Sequence, residues 1–184
     1  MAEPYRYLPG FLAPDEATAL FERLRREAPW QQEWLTLYGR RIAVPRLIAW
    51  CGDAGLNYRY SGTDHPCTGW LAALEPLRRR LADALGVDSN MVLLNRYRDG
   101  SDCIGWHSDD ERGLADRIVS VSLGARRRFL LRTEAGRRAS LPLDLEHGSV
   151  LLMDGRLRHA LPRTRRPVGE RINLTFRRLE AVAA

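Results

Sequence analysis

The sequence predicts an α+β protein in which helices come first and a run of short strands follows. The strands are expected to form a double-sheet jelly roll with the N-terminal helices packed on one sheet. Three observations carry that expectation. Apolar residues recur at helical spacing in two stretches before Val92, and from Val92 onward the apolar runs become short or alternating. No internal repeat, low-complexity tract or linker divides the 184 residues, so one domain spanning 1–184 is expected.

The first helix is placed at Pro14 to Glu27, where Ala17, Leu20, Phe21, Leu24 and Ala28 form one stripe. Pro14 and the acids after it suit a helix start. A second helical region is placed at Gly69 to Leu85 on Trp70, Leu74, Leu77, Leu81 and Leu85. Gly86 is expected to end it and Pro76 to divide it. Strands are placed at Val92 to Tyr97, Ile118 to Leu123, Phe129 to Arg132, Ser149 to Met153 and Ile172 to Phe176. Their order in a sheet does not follow from periodicity.

Composition fits one globular domain able to bury a core, with 45% hydrophobic and 28% charged residues. No stretch approaches the length of a transmembrane helix, and the first residues have neither the basic start nor the apolar run of a signal peptide. A cytoplasmic, monomeric protein with no membrane partner is expected. Three cysteines, Cys51, Cys67 and Cys103, give an odd count without paired spacing, so they are expected to be reduced. Cys103 lies near His107, but no second cysteine accompanies it at zinc-finger spacing. A net charge of +6 favours a polyanionic partner. Most of the excess is arginine in short runs such as Arg126-Arg127-Arg128, each of which reads equally well as solvated surface.

Chemistry concentrates in the C-terminal half. His107, Asp109 and His159 supply two imidazoles and one carboxylate, a set that can occupy one face of an octahedral Fe(II) and leave positions open for co-substrate and O2. In an extended strand, Arg171, Asn173, Thr175 and Arg177 share one face while Ile172, Leu174 and Phe176 share the other. Asn95 and Tyr97 likewise oppose Val92 and Leu94. Two guanidinium groups on a buried face repel each other unless an anion meets them, and a dicarboxylate such as 2-oxoglutarate brings two charges at a comparable separation.

From Leu37 to Leu179 the chain resembles the AlkB family of Fe(II)- and 2-oxoglutarate-dependent nucleic-acid dealkylases, in its short, duplex-acting branch. The resemblance is carried in order by Pro45-Arg46, Gly52-Asp53-Ala54-Gly55-Leu56, Tyr58-Arg59-Tyr60-Ser61-Gly62, Asn95-Arg96-Tyr97, His107-Ser108-Asp109-Asp110-Glu111-Arg112, Ser120-Val121-Ser122-Leu123-Gly124, His147-Gly148-Ser149 and the arginine-bearing strand. It implies that His107, Asp109 and His159 bind iron, that Arg171 and Arg177 meet the carboxylates of 2-oxoglutarate, and that Asn95, Tyr97 and Asn173 assist. It further implies a substrate-recognition lid and hairpin at 30–66 and a jelly-roll catalytic core at 92–179. The implied reaction is oxidative demethylation of 1-methyladenine and 3-methylcytosine in DNA, with RNA left open, releasing formaldehyde and succinate in direct-reversal repair.

Substrate residues are expected outside the metal site. Tyr60, with Tyr58, is the candidate to stack on a flipped base, against the alternative of simple lid packing. Asp110 and Glu111 offer carboxylates to a cationic methylated ring, or a salt-bridged turn. Tyr38 occupies the place of a hairpin residue that fills the gap left by the base, with Arg40, Arg41 and Arg46 on phosphates. The chain departs from the family's pattern at Cys51 and Ser108, neither a ligand position. His65 reads as a solvated loop residue and His147 as a local hydrogen-bonding one. An oxygenase of the same architecture acting on a protein or small molecule is the alternative, since a fold does not choose a substrate.

Overall fold

The computed structural model describes residues 3–60, 63–67, 69–110, 114–133 and 140–180. A short strand β1 (Tyr5–Leu8) precedes helix α1 (Pro14–Glu27), whose bounds are those its periodicity predicts. Pro14 opens the helix, Asp15 and Glu16 lie in its first turn, and Arg25 and Arg26 lie in its last, so the charges oppose the helix dipole at both ends.

Among the described residues five elements follow α1 before the remaining strands. Strands β2 (Gln31–Leu37) and β3 (Arg40–Gly52) form a long hairpin. Strands β4 (Asn57–Tyr60) and β5 (Thr63–Pro66) pair as a separate two-stranded ribbon, so the backbone of His65 belongs to a strand and not to the expected loop. Helix α2 spans Glu75–Leu85, shorter than expected. The residues from Gly69 are not helical, because Gly69 bridges back to Gly52 and the Trp70 Nε1–H donates to Asp53 Oδ1 at 2.7 Å. Pro76 therefore sits in the first turn of α2 and starts it, where a missing N–H costs nothing. Gly86 ends the helix at φ 67°, as expected of a left-handed cap.

The remaining strands are β6 (Met91–Tyr97), β7 (Ile104–His107), β8 (Arg117–Gly124), β9 (Arg127–Leu131), β10 (Leu141–Leu145), β11 (Ser149–Asp154), β12 (His159–Leu161) and β13 (Arg171–Arg177). They complete two antiparallel sheets, ordered β1-β11-β8-β13-β6-β3-β2 and β10-β9-β12-β7. Period-2 alternation divides the large sheet between two apolar layers. Val92, Leu94, Val121, Ile172, Leu174 and Phe176 pack with Leu24 of α1 and Leu77 and Leu81 of α2. On the opposite face Ile118, Leu151 and Met153 meet Phe129, Leu131 and Leu161 of the small sheet. Helices thus cover one sheet and leave the space between the sheets for a site, which is the architecture expected from the sequence.

Arg127 departs from the solvated reading of its run. It is 1% exposed, and its guanidinium donates to the carbonyls of Asp99, Asp102 and Pro162 at 2.8–3.0 Å. Arg126 and Arg128 on either side remain on the surface, paired with Asp144. Burial raises the Cys51 thiol to about 11, followed by opposing smaller contributions, which leaves it protonated. Cys51, Cys67 and Cys103 are all free thiols. Among the described residues no helix is long and apolar enough to cross a membrane.

Leu81→Ala removes a fully buried contact between α2 and the large sheet. We expect it to cost about 2–5 kcal/mol in urea unfolding; a change near zero would mean that the helix does not stabilise the sheet.

Candidate active site

Antiparallel pairing of β7 with β12 sets His107 directly opposite His159. The two rings meet edge to face with centroids 4.1 Å apart. Each imidazole is oriented by its own chain: His107 Nδ1 donates to the Gly105 carbonyl at 2.9 Å and His159 Nδ1 to the Leu157 carbonyl at 2.8 Å. Those bonds assign the proton to Nδ1 and leave the Nε2 lone pairs free to face a common centre.

Asp109 follows β7 and completes the group. Its carboxylate oxygens lie 3.7 Å from His107 Nε2 and 3.8 Å from His159 Nε2, and one donor atom from each residue falls within 4.8 Å of the others. Backbone contacts hold it there, since Asp109 N–H donates to Gly155 O and Gly155 N–H to Asp116 O, both at 2.7 Å. Gly155 must be a glycine for this approach, because a Cβ built on it would lie 2.6 Å from the Asp109 carbonyl oxygen.

The electrostatics favour a ligand-ready state. Burial alone would raise the Asp109 pKa, but the Arg177 guanidinium, 2.7 Å away, and then the two histidines outweigh it and hold the carboxyl below its usual range. Burial dominates at His159, pulling its pKa down to about 4 against the attraction of Asp109. The ring is therefore neutral near pH 7. Two imidazole nitrogens and one carboxylate form a donor set suited to a divalent ion such as Fe(II).

Beside this group lies a cavity of about 520 Å³, counted to its open mouth. One wall is polar and built by alternation along β13, β6 and β8. Asn173 Nδ2 donates to Ser120 Oγ at 2.7 Å, Thr175 Oγ1 to Asn173 Oδ1 at 3.1 Å, and Arg171 to Ser122 Oγ at 3.0 Å. Arg171 is fully buried with its guanidinium 5.4 Å from the Tyr97 ring centre. Burial lowers its pKa to about 10, so it remains cationic at neutral pH. Its Nε has no hydrogen-bond partner among the described residues. Arg46, Arg171 and Arg177 line the cavity with, among the described residues, one carboxylate, Asp109, and such a cationic lining suits an acidic ligand.

All eight residues expected at the metal and co-substrate positions, His107, Asp109, His159, Asn95, Tyr97, Arg171, Asn173 and Arg177, line this one cavity. Arg46 differs from expectation. It is 6% exposed and donates to Asn95 Oδ1 at 2.8 Å, so it is a cavity residue and not an outward phosphate contact. Asp110 is exposed, accepts from Ser108 Oγ at 3.0 Å and does not line the cavity. Tyr38 stands fully exposed at the tip of the β2–β3 hairpin. Glu111 and the side chains of Tyr58 and Tyr60 lie outside the described residues. His147 acts locally, as expected, accepting from the Gly124 N–H at 2.8 Å.

Residue-by-residue reading gave no role to Ser120, Ser122, Thr175 or Phe129. The signal for the serines was the alternation Ser120-Val121-Ser122, which matches the polar face of β13 across the ladder. Phe129 stacks on His159 with ring centres 5.3 Å apart, a pairing that depends on β9 lying beside β12.

Comparisons with known proteins agree with this geometry. A family model described as the 2OG-Fe(II) oxygenase superfamily matches residues 4–177. The chain is 39% identical over 180 residues to the DNA oxidative demethylase ALKBH2 of Mus musculus, a match covering 89% of this chain and 75% of the relative. The Homo sapiens ALKBH2 is 38% identical, with 89% and 69% covered. The alpha-ketoglutarate-dependent dioxygenase alkB homolog 3 of Rattus norvegicus is 38% identical, with 92% and 62% covered. The solved structure of OsALKBH1 superposes with a TM-score of 0.67 at 19% identity, covering 97% of this chain and 99% of that one, which supports the fold.

Gly155→Ala would push the Asp109 backbone away from the histidines. Metal affinity, measured by calorimetric titration with Mn(II), is expected to fall about 10-fold or more, and an unchanged affinity would show that Gly155 does not position the carboxylate.

Proposed function

The chain belongs to the 2OG-Fe(II) oxygenase superfamily and, within it, to the AlkB family, and from that premise we propose that it oxidatively demethylates N-alkylated bases in DNA. The observation that carries this reading is a two-histidine, one-carboxylate group sharing a cavity with two buried arginines on one strand face. The substrates we assign are 1-methyladenine and 3-methylcytosine, whose ring methylation leaves a positive charge. The same lesions in RNA are a second set to test. The working unit in this proposal is one domain over 1–184, with lid and hairpin at 30–66 and catalytic core at 92–179, acting as a cytoplasmic monomer.

His107, Asp109 and His159 would hold the iron, and their spacing and the neutral His159 ring fit that role. Iron(II) with 2-oxoglutarate and O2 supplies the oxidation of the N-methyl carbon, which leaves as formaldehyde while the co-substrate becomes succinate and carbon dioxide. The protein's share is placement and charge. Arg177, already against Asp109, meets the carboxylate at the metal end, and Arg171, seated by Tyr97 and Ser122, holds the other. Asn173, fixed by Ser120, and Asn95, held by Arg46, keep the polar wall rigid. Arg46 reaches ligands from within the cavity.

The base must leave its stack to reach that cavity, and the hairpin supports such a step. Tyr38 and Gly39 adopt φ 51° and 73°, the left-handed pair of a type I′ turn. A tyrosine there is strained by about 1 kcal/mol, and strain of this kind collects at functional positions. Trp34, Leu35 and Ile42 are also exposed on the same hairpin, with the Arg41 guanidinium 4.8 Å above the Trp34 ring. We therefore assign Tyr38 as the residue that fills the vacated stack. Tyr58 and Tyr60 on the lid, with Asp110 and Glu111 after the metal carboxylate, are the proposed contacts to the flipped base.

Incubating the protein with Fe(II), 2-oxoglutarate and single- or double-stranded DNA or RNA bearing 1-methyladenine or 3-methylcytosine should restore the base and release formaldehyde. No turnover on any of them would sink the proposal. Asp109→Ala should reduce turnover to background, and activity retained in that variant would remove it from the metal site. Arg171→Ala should raise the KM for 2-oxoglutarate far more than that for DNA; equal effects would argue against its role.

A further inference from the structure

Among the described residues many surface arginines have a carboxylate within ion-pair distance, as Arg23 has Glu27, Arg25 and Arg26 have Glu22, and Arg80 has Glu16. Arg132 and Arg158 differ. Neither is ion-paired to any described residue, yet they lie next to each other. Leu131 of β9 pairs with His159 of β12, and the ladder continues one step outward through the Arg132 N–H, which donates to the Arg158 carbonyl at 2.9 Å. His159 and Leu131 point between the sheets, so by alternation the two arginines emerge on the outer face.

Like charges directly opposite in a sheet destabilise it unless an anion meets them. The pair is also organised for contact. The Arg132 guanidinium stacks 4.2 Å from the ring centre of Trp106, and Arg158 reaches the Trp106 carbonyl at 3.5 Å. Trp106 belongs to β7, the edge strand of the small sheet, immediately before His107. The segment entering β7 is tied to the β2–β3 hairpin by the Cys103 N–H, which donates to the Pro45 carbonyl at 3.0 Å. The segment that leads into Trp106 therefore touches β3 of the hairpin.

We propose that Trp106, Arg132 and Arg158 form a phosphate-binding step, which grips the sugar-phosphate backbone of a nucleic-acid strand beside the active-site mouth. This rests on the reading of the substrate as nucleic acid. A guanidinium held over an indole is pre-organised for a phosphodiester oxygen, and such contacts position the strand without reading its sequence.

The test uses the full chain with Fe(II), without 2-oxoglutarate, and a fluorescein-labelled duplex carrying one 1-methyladenine. Binding is followed by anisotropy from about 50 to about 200 mM salt, since each neutralised phosphate contributes about 0.9 to the slope of log K against log salt. Arg132→Ala/Arg158→Ala should lower that slope by about 1 to 2 while the melting temperature does not fall below the wild-type value. Arg25→Ala/Arg26→Ala removes the same charge from an acid-paired site and should leave the slope unchanged. Tyr38→Ala should weaken binding at unchanged slope. A wild-type slope in the Arg132/Arg158 variant, or an equal fall in the Arg25/Arg26 control, overturns the step while leaving turnover of methylated DNA intact. A wild type that neither binds nor turns over nucleic acid overturns this step and the function together.

Discussion

One strand must satisfy two environments at once. Every residue of β13 is buried, with Ile172, Leu174 and Phe176 in the apolar layer beneath the helices and Arg171, Asn173, Thr175 and Arg177 in the cavity. Ionised groups in such a place are costly unless they are paired and hydrogen-bonded. The large sheet has to surround β13 with β8 and β6, because Ser120, Ser122 and Asn95 are the groups that make its polar face tolerable. The apolar half anchors the strand under α1 and α2 and so fixes where the cations stand.

The metal group is positioned by the same economy of backbone. The small sheet opposes two histidines by register, each histidine is aimed by a carbonyl two residues earlier, and a glycine lets the carboxylate approach. Asp109 joins the two halves, since it completes the donor set and partners Arg177 of β13. Its charge is therefore held from both sides of the cavity. Removing it would take a carboxylate away from a buried guanidinium as well as leave an incomplete metal site.

What the sequence disclosed was local. Period-3.6 and period-2 patterns located α1, β6, β8, β11 and β13 because each element's own spacing carries the information. The faces of β13 and β6 followed from the same rule. The stretch from Gly69 to Leu74 misled because Trp70 and Leu74 fit a helical stripe equally well as a turn closed by Asp53, and the difference lies in a residue far earlier in the chain. Arg46 was read as a phosphate contact and Arg127 as solvated surface for a similar reason. Charged residues are normally exposed, and the acceptors that allow these two to be buried come from other strands and loops. The pair of Arg132 and Arg158 is likewise invisible until β9 and β12 are set side by side.

The hairpin carries a cost of a different kind. Strand β2 is the free edge of the large sheet, and Trp34, Leu35 and Ile42 stand exposed on it or its partner. An uncovered apolar edge invites pairing with another copy, and flanking charge is what ordinarily discourages it. Arg40 and Arg41 therefore act as gatekeepers against aggregation as well as lying beside the proposed wedge. Neutralising these two side chains would leave the apolar edge without flanking charge and make the purified protein prone to self-association.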